Sequence, residues 1–233
     1  MPAMALLAVL YDIHGNLPAL ETVLADARGA GAEQFVLGGD YALFGPFPAE
    51  TVAALRDVPA VVRIRGNVDR WSAHPDEAPD DPVIQDAITA CREALGGDAV
   101  AELDRLDEQV VLDGTRYCHA SPISDLRSFM PEADADERDL LAGVSERRLV
   151  FGHTHLPFRR MSSGGVELIN PGSVGMPFDG DPRAAWALID PGGRVEHRRV
   201  AYDNESAARA MTDRFGEAPW AQRSAERLRH ARA

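Results

Sequence analysis

The chain has 233 residues, 45% of them hydrophobic and 26% charged, with 37 acidic residues against 24 basic ones and a formal net charge of −13 at pH 7. That length suits one large domain with a substantial core, and the acidic balance argues against a broad grip on nucleic acid, which depends on Lys and Arg neutralising phosphates. The only cysteines, Cys91 and Cys118, exclude a thiolate metal cage and a disulfide-dependent scaffold and make the cytoplasm the default compartment.

The stretch Met1 to Leu10 is apolar but lacks the basic start of a signal peptide. It runs straight into Asp12, so its removal would take away a strand that presents polar residues. No apolar run approaches the ~20 residues of a membrane-spanning helix. Ala5 to Tyr11 has strand length, and Leu17 to Arg28 carries Leu17, Leu20, Val23 and Leu24 on one helical face, with Pro18 near its start. Phe35 to Gly38 is predicted as the next strand, Thr51 to Arg56 as a helix and Val61 to Ile64 as a third strand. This βαβαβ run predicts parallel pairing.

Beyond Arg70 the strands stop. Pro75, Pro79 and Pro82 lead into predicted helices over Val83 to Leu95 and Ala99 to Leu106. Strands return as Gln109 to Leu112 and Thr115 to His119, a hairpin around Asp113-Gly114. A polar stretch from Ser121 to Ser145 follows, then a strand at Leu149 to Phe151 and hairpin signals at Ser162 to Gly165 and Pro191 to Gly193. The tail from Asn204 to Arg232 reads as two helices that cover a sheet face or contact a second copy in a homo-oligomer. The chain is expected to form one domain, 1–233, with helical insertions at about 70–107 and 121–145 that rim the site or serve as ordinary outer helices, and a helical tail at 204–232.

Four islands carry the chemistry: Asp12-Ile13-His14, Gly39-Asp40, Gly66-Asn67 and Gly152-His153-Thr154-His155, with His119 alone between the last two. Four of the seven histidines fall in this set. Carboxylate, imidazole and amide-oxygen donors suit Mn²⁺, Fe²⁺ or Zn²⁺, and the spacing is that of a two-metal site. Two divalent ions bring four positive charges and Asp12 and Asp40 remove two, so the centre stays cationic even with a bridging hydroxide. A phosphate ester is its natural ligand. In such centres, with ions roughly 3.5–4 Å apart, the metals activate a shared water and neutralise charge on the attacking and leaving oxygens.

The ordered motifs Asp12-Ile13-His14-Gly15-Asn16, Gly39-Asp40, Gly66-Asn67-Val68-Asp69, His119-Ala120-Ser121-Pro122, Gly152-His153-Thr154-His155 and Asn170-Pro171-Gly172-Ser173 resemble those of the calcineurin-like metallophosphoesterases. They are most similar to the small bacterial and archaeal phosphodiesterase branch, over about Leu7 to Asp190. The resemblance implies an αββα sandwich of two mixed β-sheets flanked by helices, with all ligands on loops at one end. It implies that Asp12, His14 and His155 hold one metal, that Asn67, His119 and His153 hold the other, and that Asp40 bridges them. Asn16 and Asp69 are expected to hold ligands or backbone in place. The implied activity is hydrolysis of a small-molecule phosphate diester by a metal-bridging hydroxide, with Mn²⁺ expected first and Fe²⁺ or Zn²⁺ as alternatives.

One position departs from the commoner family pattern. Many relatives have His where this chain has Val68, and Val68 can neither protonate a leaving oxygen nor stabilise a transferring phosphoryl group. A positioned general acid is worth roughly 10²–10⁴ in rate, so esters with good leaving groups are expected to suffer least. His74 is a candidate substitute acid, against the plainer reading of a solvated loop histidine. The rival function is a catalytically weak metal-binding regulatory or ligand-binding protein, motivated by Val68 and by Tyr11 where the family often has Ser; a protein phosphatase is disfavoured by Val68 and the short chain. Cys118 is expected in the core rather than as a thiol partner of His119 and Gly172 to Gly175 as a turn supporting the metal loop, and Arg65, Arg127 and Arg183 are candidates for binding a second phosphate against the plainer reading of solvated or salt-bridged side chains.

Overall fold

The structure, a computed structural model, describes residues 5–233, so the first four residues of the apolar Met1 to Leu10 stretch lie outside the described residues. Among the described residues, ten strands form two five-stranded mixed sheets. In the first sheet β1 (Leu6–Leu10), β2 (Ala32–Leu37) and β3 (Ala60–Arg63) run parallel, and β9 (Ala184–Ile189) and β10 (Val195–Val200) extend it antiparallel in the order β10-β9-β1-β2-β3. In the second, β5 (Thr115–Cys118), β6 (Arg148–Val150) and β8 (Glu167–Asn170) are parallel between antiparallel edges β4 (Gln109–Leu112) and β7 (Phe158–Met161).

Successive strand residues point to opposite faces, and here both faces are apolar, as burial on both sides requires. Ala8 and Leu10 of β1 and Phe35 and Leu37 of β2 face the helical side, whereas Val9, Tyr11 and Val36 meet Tyr117, Val150 and Ile169 of the second sheet. Cys118 turns to the far side of the second sheet with Leu149 and Leu168. Its thiol is buried and pushed up beyond the ordinary range by that burial, which makes it a core residue.

The two outer layers are unequal. Helices α1 (Leu17–Gly29), α2 (Pro48–Arg56), α3 (Asn67–Ala73), α4 (Pro82–Asp104), α6 (Asn204–Phe215) and α7 (Pro219–His230) all lie on the first sheet's side. Helix α4 breaks at Gly96, whose φ of 74° and ψ of 160° lie outside the helical region, so the two predicted helices are present as two limbs. They pack on α2, α3 and α7 as outer helices. The predicted helical insertion at 121–145 contains one helical turn, α5 (Glu137–Leu140). The rest is irregular chain that lays Phe129 on the outer face of the second sheet beside Leu140 of that turn. The tail covers the helical side of the first sheet through Ala208, Met211, Trp220 and Leu228.

Candidate metal centre

Every island follows the C-terminal end of a parallel strand. Asp12 and His14 follow β1, Asp40 follows β2, Asn67 follows β3, His119 follows β5, and His153 and His155 follow β6. Parallel pairing therefore places all seven at one end of the sandwich. Five of them, Asp12, His14, Asp40, His153 and His155, have φ between 47° and 67°, a left-handed conformation uncommon for residues with a Cβ. Such strain persists where surrounding structure over-determines it. Here Asp12, His14 and Gly15 donate backbone N–H groups to the carbonyls of Gly39, Asp40 and Tyr41. The neighbouring glycines are required sterically, because a Cβ at Gly66 would strike the Asp40 carboxylate and one at Gly152 would strike that of Asp12.

Asp12, His14, Asp40 and His155 each bring a ligand atom within 4.8 Å of the others, all buried. Beside them His119 Nε2 lies 3.1 Å from Asn67 Oδ1, and His153 Nδ1 lies 3.0 Å from the same oxygen. Asp40 links the two groups: its Oδ2 is 3.7 Å from His14 Nε2 and its Oδ1 is 3.3 Å from His119 Nε2. Asp12 Oδ1 lies 3.5 Å from His155 Nε2.

The outward nitrogens decide what the inward ones offer. Nδ1 of His14, His119 and His155 faces the carbonyls of Leu43, Gly38 and Met176 at 2.9, 2.9 and 2.5 Å. A carbonyl only accepts, so each Nδ1 carries hydrogen and, in a neutral ring, Nε2 presents its lone pair to the centre. His14 Nε2 and His155 Nε2 face each other at 3.2 Å. Two lone pairs at that distance beside buried carboxylates call for a cation, and the donor set fits a divalent metal of the oxygen- and imidazole-binding kind.

Ionisation divides the centre. Burial pushes the Asp12 carboxyl well up. Burial also acts upward on Asp40, but the charge and hydrogen bond of His119 win and hold it below the usual carboxylate range. Burial opposes charge on His119, yet Asp40 and Asp12 raise it to about 10. Burial lowers His14 and His155, and it brings His153 down to about 4 with help from the charge of His119.

Asp69 accepts backbone N–H groups from Asp40, Tyr41 and Gly66 at 2.8, 3.0 and 2.9 Å, although burial and the charge of Asp40 push it up to about 7. Asn16 caps α1 and donates to the Gly175 carbonyl. In the Gly172 to Gly175 turn, Ser173 Oγ and the Gly175 N–H both donate to the Asp12 carbonyl. Val68 sits in the core of the helical side, and its N–H donates to Asp40 Oδ1 at 3.1 Å.

The remaining candidates are engaged elsewhere. His74 lies 3.2 Å from the Asp104 carboxylate in a separate depression with Arg92 and Val100, so it is not brought to the centre. Tyr11 belongs to the inter-sheet core and donates its hydroxyl to the Val150 carbonyl. Arg65 is held by Asp104 and Glu108, Arg127 by Asp136 and Arg183 by Asp181. Helix α3 lies outside the predicted elements, although Gly at an N-cap and Asp in the first turn are helix-start signals. Its Arg70, paired with Asp125 and Glu77, lines a cleft with His119, Ser121 and Ile123, and no local pattern singles it out.

The chain matches the family model described as calcineurin-like phosphoesterase superfamily domain over residues 5–192. It is similar to phosphodiesterase YfcE of Escherichia coli strain K12, 31% identical over 188 residues that cover 77% of this chain and 84% of the relative. An uncharacterized protein of Methanocaldococcus jannaschii is 28% identical over 225 residues, with 87% and 90% covered. Among solved structures, a metallophosphoesterase from Sphaerobacter thermophilus superposes with a TM-score of 0.82 at 27% identity over 97% of this chain and 99% of that one. A hypothetical protein from Pyrococcus horikoshii superposes with a TM-score of 0.81 at 20% identity over 99% and 100%, a likeness of fold.

Proposed function

The chain belongs to the calcineurin-like phosphoesterase superfamily, and on that premise we propose that it is a divalent-metal-dependent phosphodiesterase acting on a small-molecule phosphate diester. The observation that carries this reading is the placement of Asp40, whose two carboxylate oxygens face the two histidine groups separately. We assign Asp12, His14 and His155 to one ion, Asn67, His119 and His153 to the other, and Asp40 to both. Bound ions supply activation of water and neutralisation of charge on the phosphoryl oxygens.

The residues of the chain do the remaining work. The carbonyls of Leu43, Gly38 and Met176 fix the ring orientations, the Val68 N–H orients Asp40, and Asp69 ties the Asp40 and Gly66 loops together. Neither Val68 nor His74 protonates a departing oxygen, so diesters with good leaving groups are the favoured class. Mn²⁺ is the first choice of ion, with Fe²⁺ and Zn²⁺ served by the same donors. The two buried free cysteines support a cytoplasmic site of action. We read residues 1–233 as one domain whose 121–126 loop rims the His119 side.

The test is hydrolysis of bis-p-nitrophenyl phosphate against p-nitrophenyl phosphate by metal-stripped protein with Mn²⁺ restored, beside Asp40→Ala. Metal-dependent cleavage that favours the diester and disappears in the variant is expected. Two bound ions without turnover would favour the alternative of a metal-binding regulatory protein, for which the buried Val68 speaks.

A further inference from the structure

Half-buried arginines in this chain are satisfied. Arg65, Arg70, Arg116, Arg148 and Arg198 each grip a carboxylate, and Arg63 donates to the carbonyls of Leu55 and Val58. Arg227, in the last turn of α7, is the exception among the described residues. Its Nε is shut off from solvent with no hydrogen-bond partner, and the charge that acts on it is that of another cation, Arg223. In a chain of net charge −13, a partly desolvated cation left without a carboxylate is an unfavourable arrangement that needs a reason.

Its position supplies one. The Arg227 guanidinium lies over the Phe178 ring, 5.4 Å from the centroid, and Phe178 stacks on His155 with centroids 4.3 Å apart and an interplanar angle of 16°. The end of α7 is fastened there, because Gly180 donates its N–H to the Ala231 carbonyl at 2.9 Å. A depression beside it is lined by Arg223, Glu226, Arg227, His230, Arg232 and Ala233, and Glu226 is already engaged by Arg229. Phe178 therefore touches both an unpartnered guanidinium and a ring of the metal centre.

We propose that Arg227 binds a second, non-reacting phosphate of the substrate, so that the preferred diester carries an additional phosphate group; this rests on reading the Asp40 centre as the phosphodiesterase site. A guanidinium presents a planar fork of donors that matches phosphate oxygens two at a time. A phosphate arriving in the depression supplies the missing counter-charge. The tail helix thereby sets specificity from outside the stretch that carries the metal ligands.

The experiment is calorimetric titration of the Mn²⁺-loaded full chain with thymidine 3′,5′-bisphosphate and with thymidine 5′-monophosphate, for wild type, Arg227→Gln and Arg227→Lys. The wild type is expected to bind the bisphosphate about tenfold tighter than the monophosphate, the scale of one charged hydrogen-bonding contact. Arg227→Gln should lose that preference and Arg227→Lys should keep part of it. Equal affinities in the wild type, or a preference that survives in Arg227→Gln, would overturn the proposal. So would variants that only lower the melting temperature, the mark of a residue that merely packs on Phe178. Because the readout is equilibrium binding, it is independent of turnover; failure of the phosphodiesterase reading shows separately, as no hydrolysis of bis-p-nitrophenyl phosphate by the wild type.

Discussion

The two halves of the polar centre share Asp40 but are prepared differently for a cation. In the half with Asp12, His14 and His155, burial keeps both rings neutral, and their Nε2 lone pairs converge at 3.2 Å. In the half with Asn67, His119 and His153, one ring already holds a proton: His119 is raised to about 10 by Asp40 and Asp12 against the opposing effect of burial. In metal-free protein the two halves therefore hold protons with different strength. Deprotonated ligands bind metal, so loading the second half displaces the more tightly held proton.

The strongest way to break the comparison is to remove its shared member. Loss of an outer-sphere partner costs roughly 10–100-fold in metal affinity or activity, and Asp40 is closer than that. Asp40→Ala is therefore expected to lower turnover by more than about 100-fold and to empty both halves, as read by elemental analysis after gel filtration. His155→Ala and His119→Ala should each cost one ion, and the pair of variants tests whether the halves load separately.

Asp69→Asn comes next. It weakens the acceptor for three backbone N–H groups, and a fall of roughly 10-fold in metal affinity is expected from a supporting residue of this kind. A competitive chelator titration checks it.

Acid–base behaviour sharpens the comparison further. A group whose folded pKa is raised binds more protons in the native state, so stability falls as pH rises between the unfolded and folded values. For His119 in metal-free protein that window runs from 6.5 to about 10. His153, lowered to about 4 by burial and by His119, acts in the opposite sense: between about 4 and 6.5 the unfolded chain takes the proton and stability rises with pH. The metal-free melting temperature should peak between these windows, and His119→Gln should flatten its alkaline side. The smallest effect is expected at His74, paired with Asp104 away from the centre; His74→Ala should leave diester turnover within about twofold, since surface substitutions away from special features change little.

Much of this was legible in the chain because the informative signals are local. Apolar runs of strand length end in Asp12, Asp40 and Asn67, and the adjacent glycines mark places where a Cβ would strike a carboxylate. The hairpin at Asp113-Gly114 and the break near Gly96 rest on backbone needs confined to a few residues. What escaped reading depends on distant partners. The 121–145 stretch is polar enough for a solvent-exposed helix, but Phe129 and Leu140 anchor it to the second sheet as chain that is irregular apart from one helical turn. Arg70 and Arg227 look alike in sequence. One meets Asp125 across the cleft and the other meets Phe178 without a carboxylate, and only the folded chain separates them.

The central claim is that two ions sit on either side of Asp40. It is tested most directly by crystals grown with Mn²⁺ and diffraction data collected at the manganese edge. The account predicts two anomalous peaks roughly 3.5–4 Å apart, one among Asp12, His14 and His155 and the other among Asn67, His119 and His153, with Asp40 between them. A single peak, or two that leave Asp40 unligated, would contradict it.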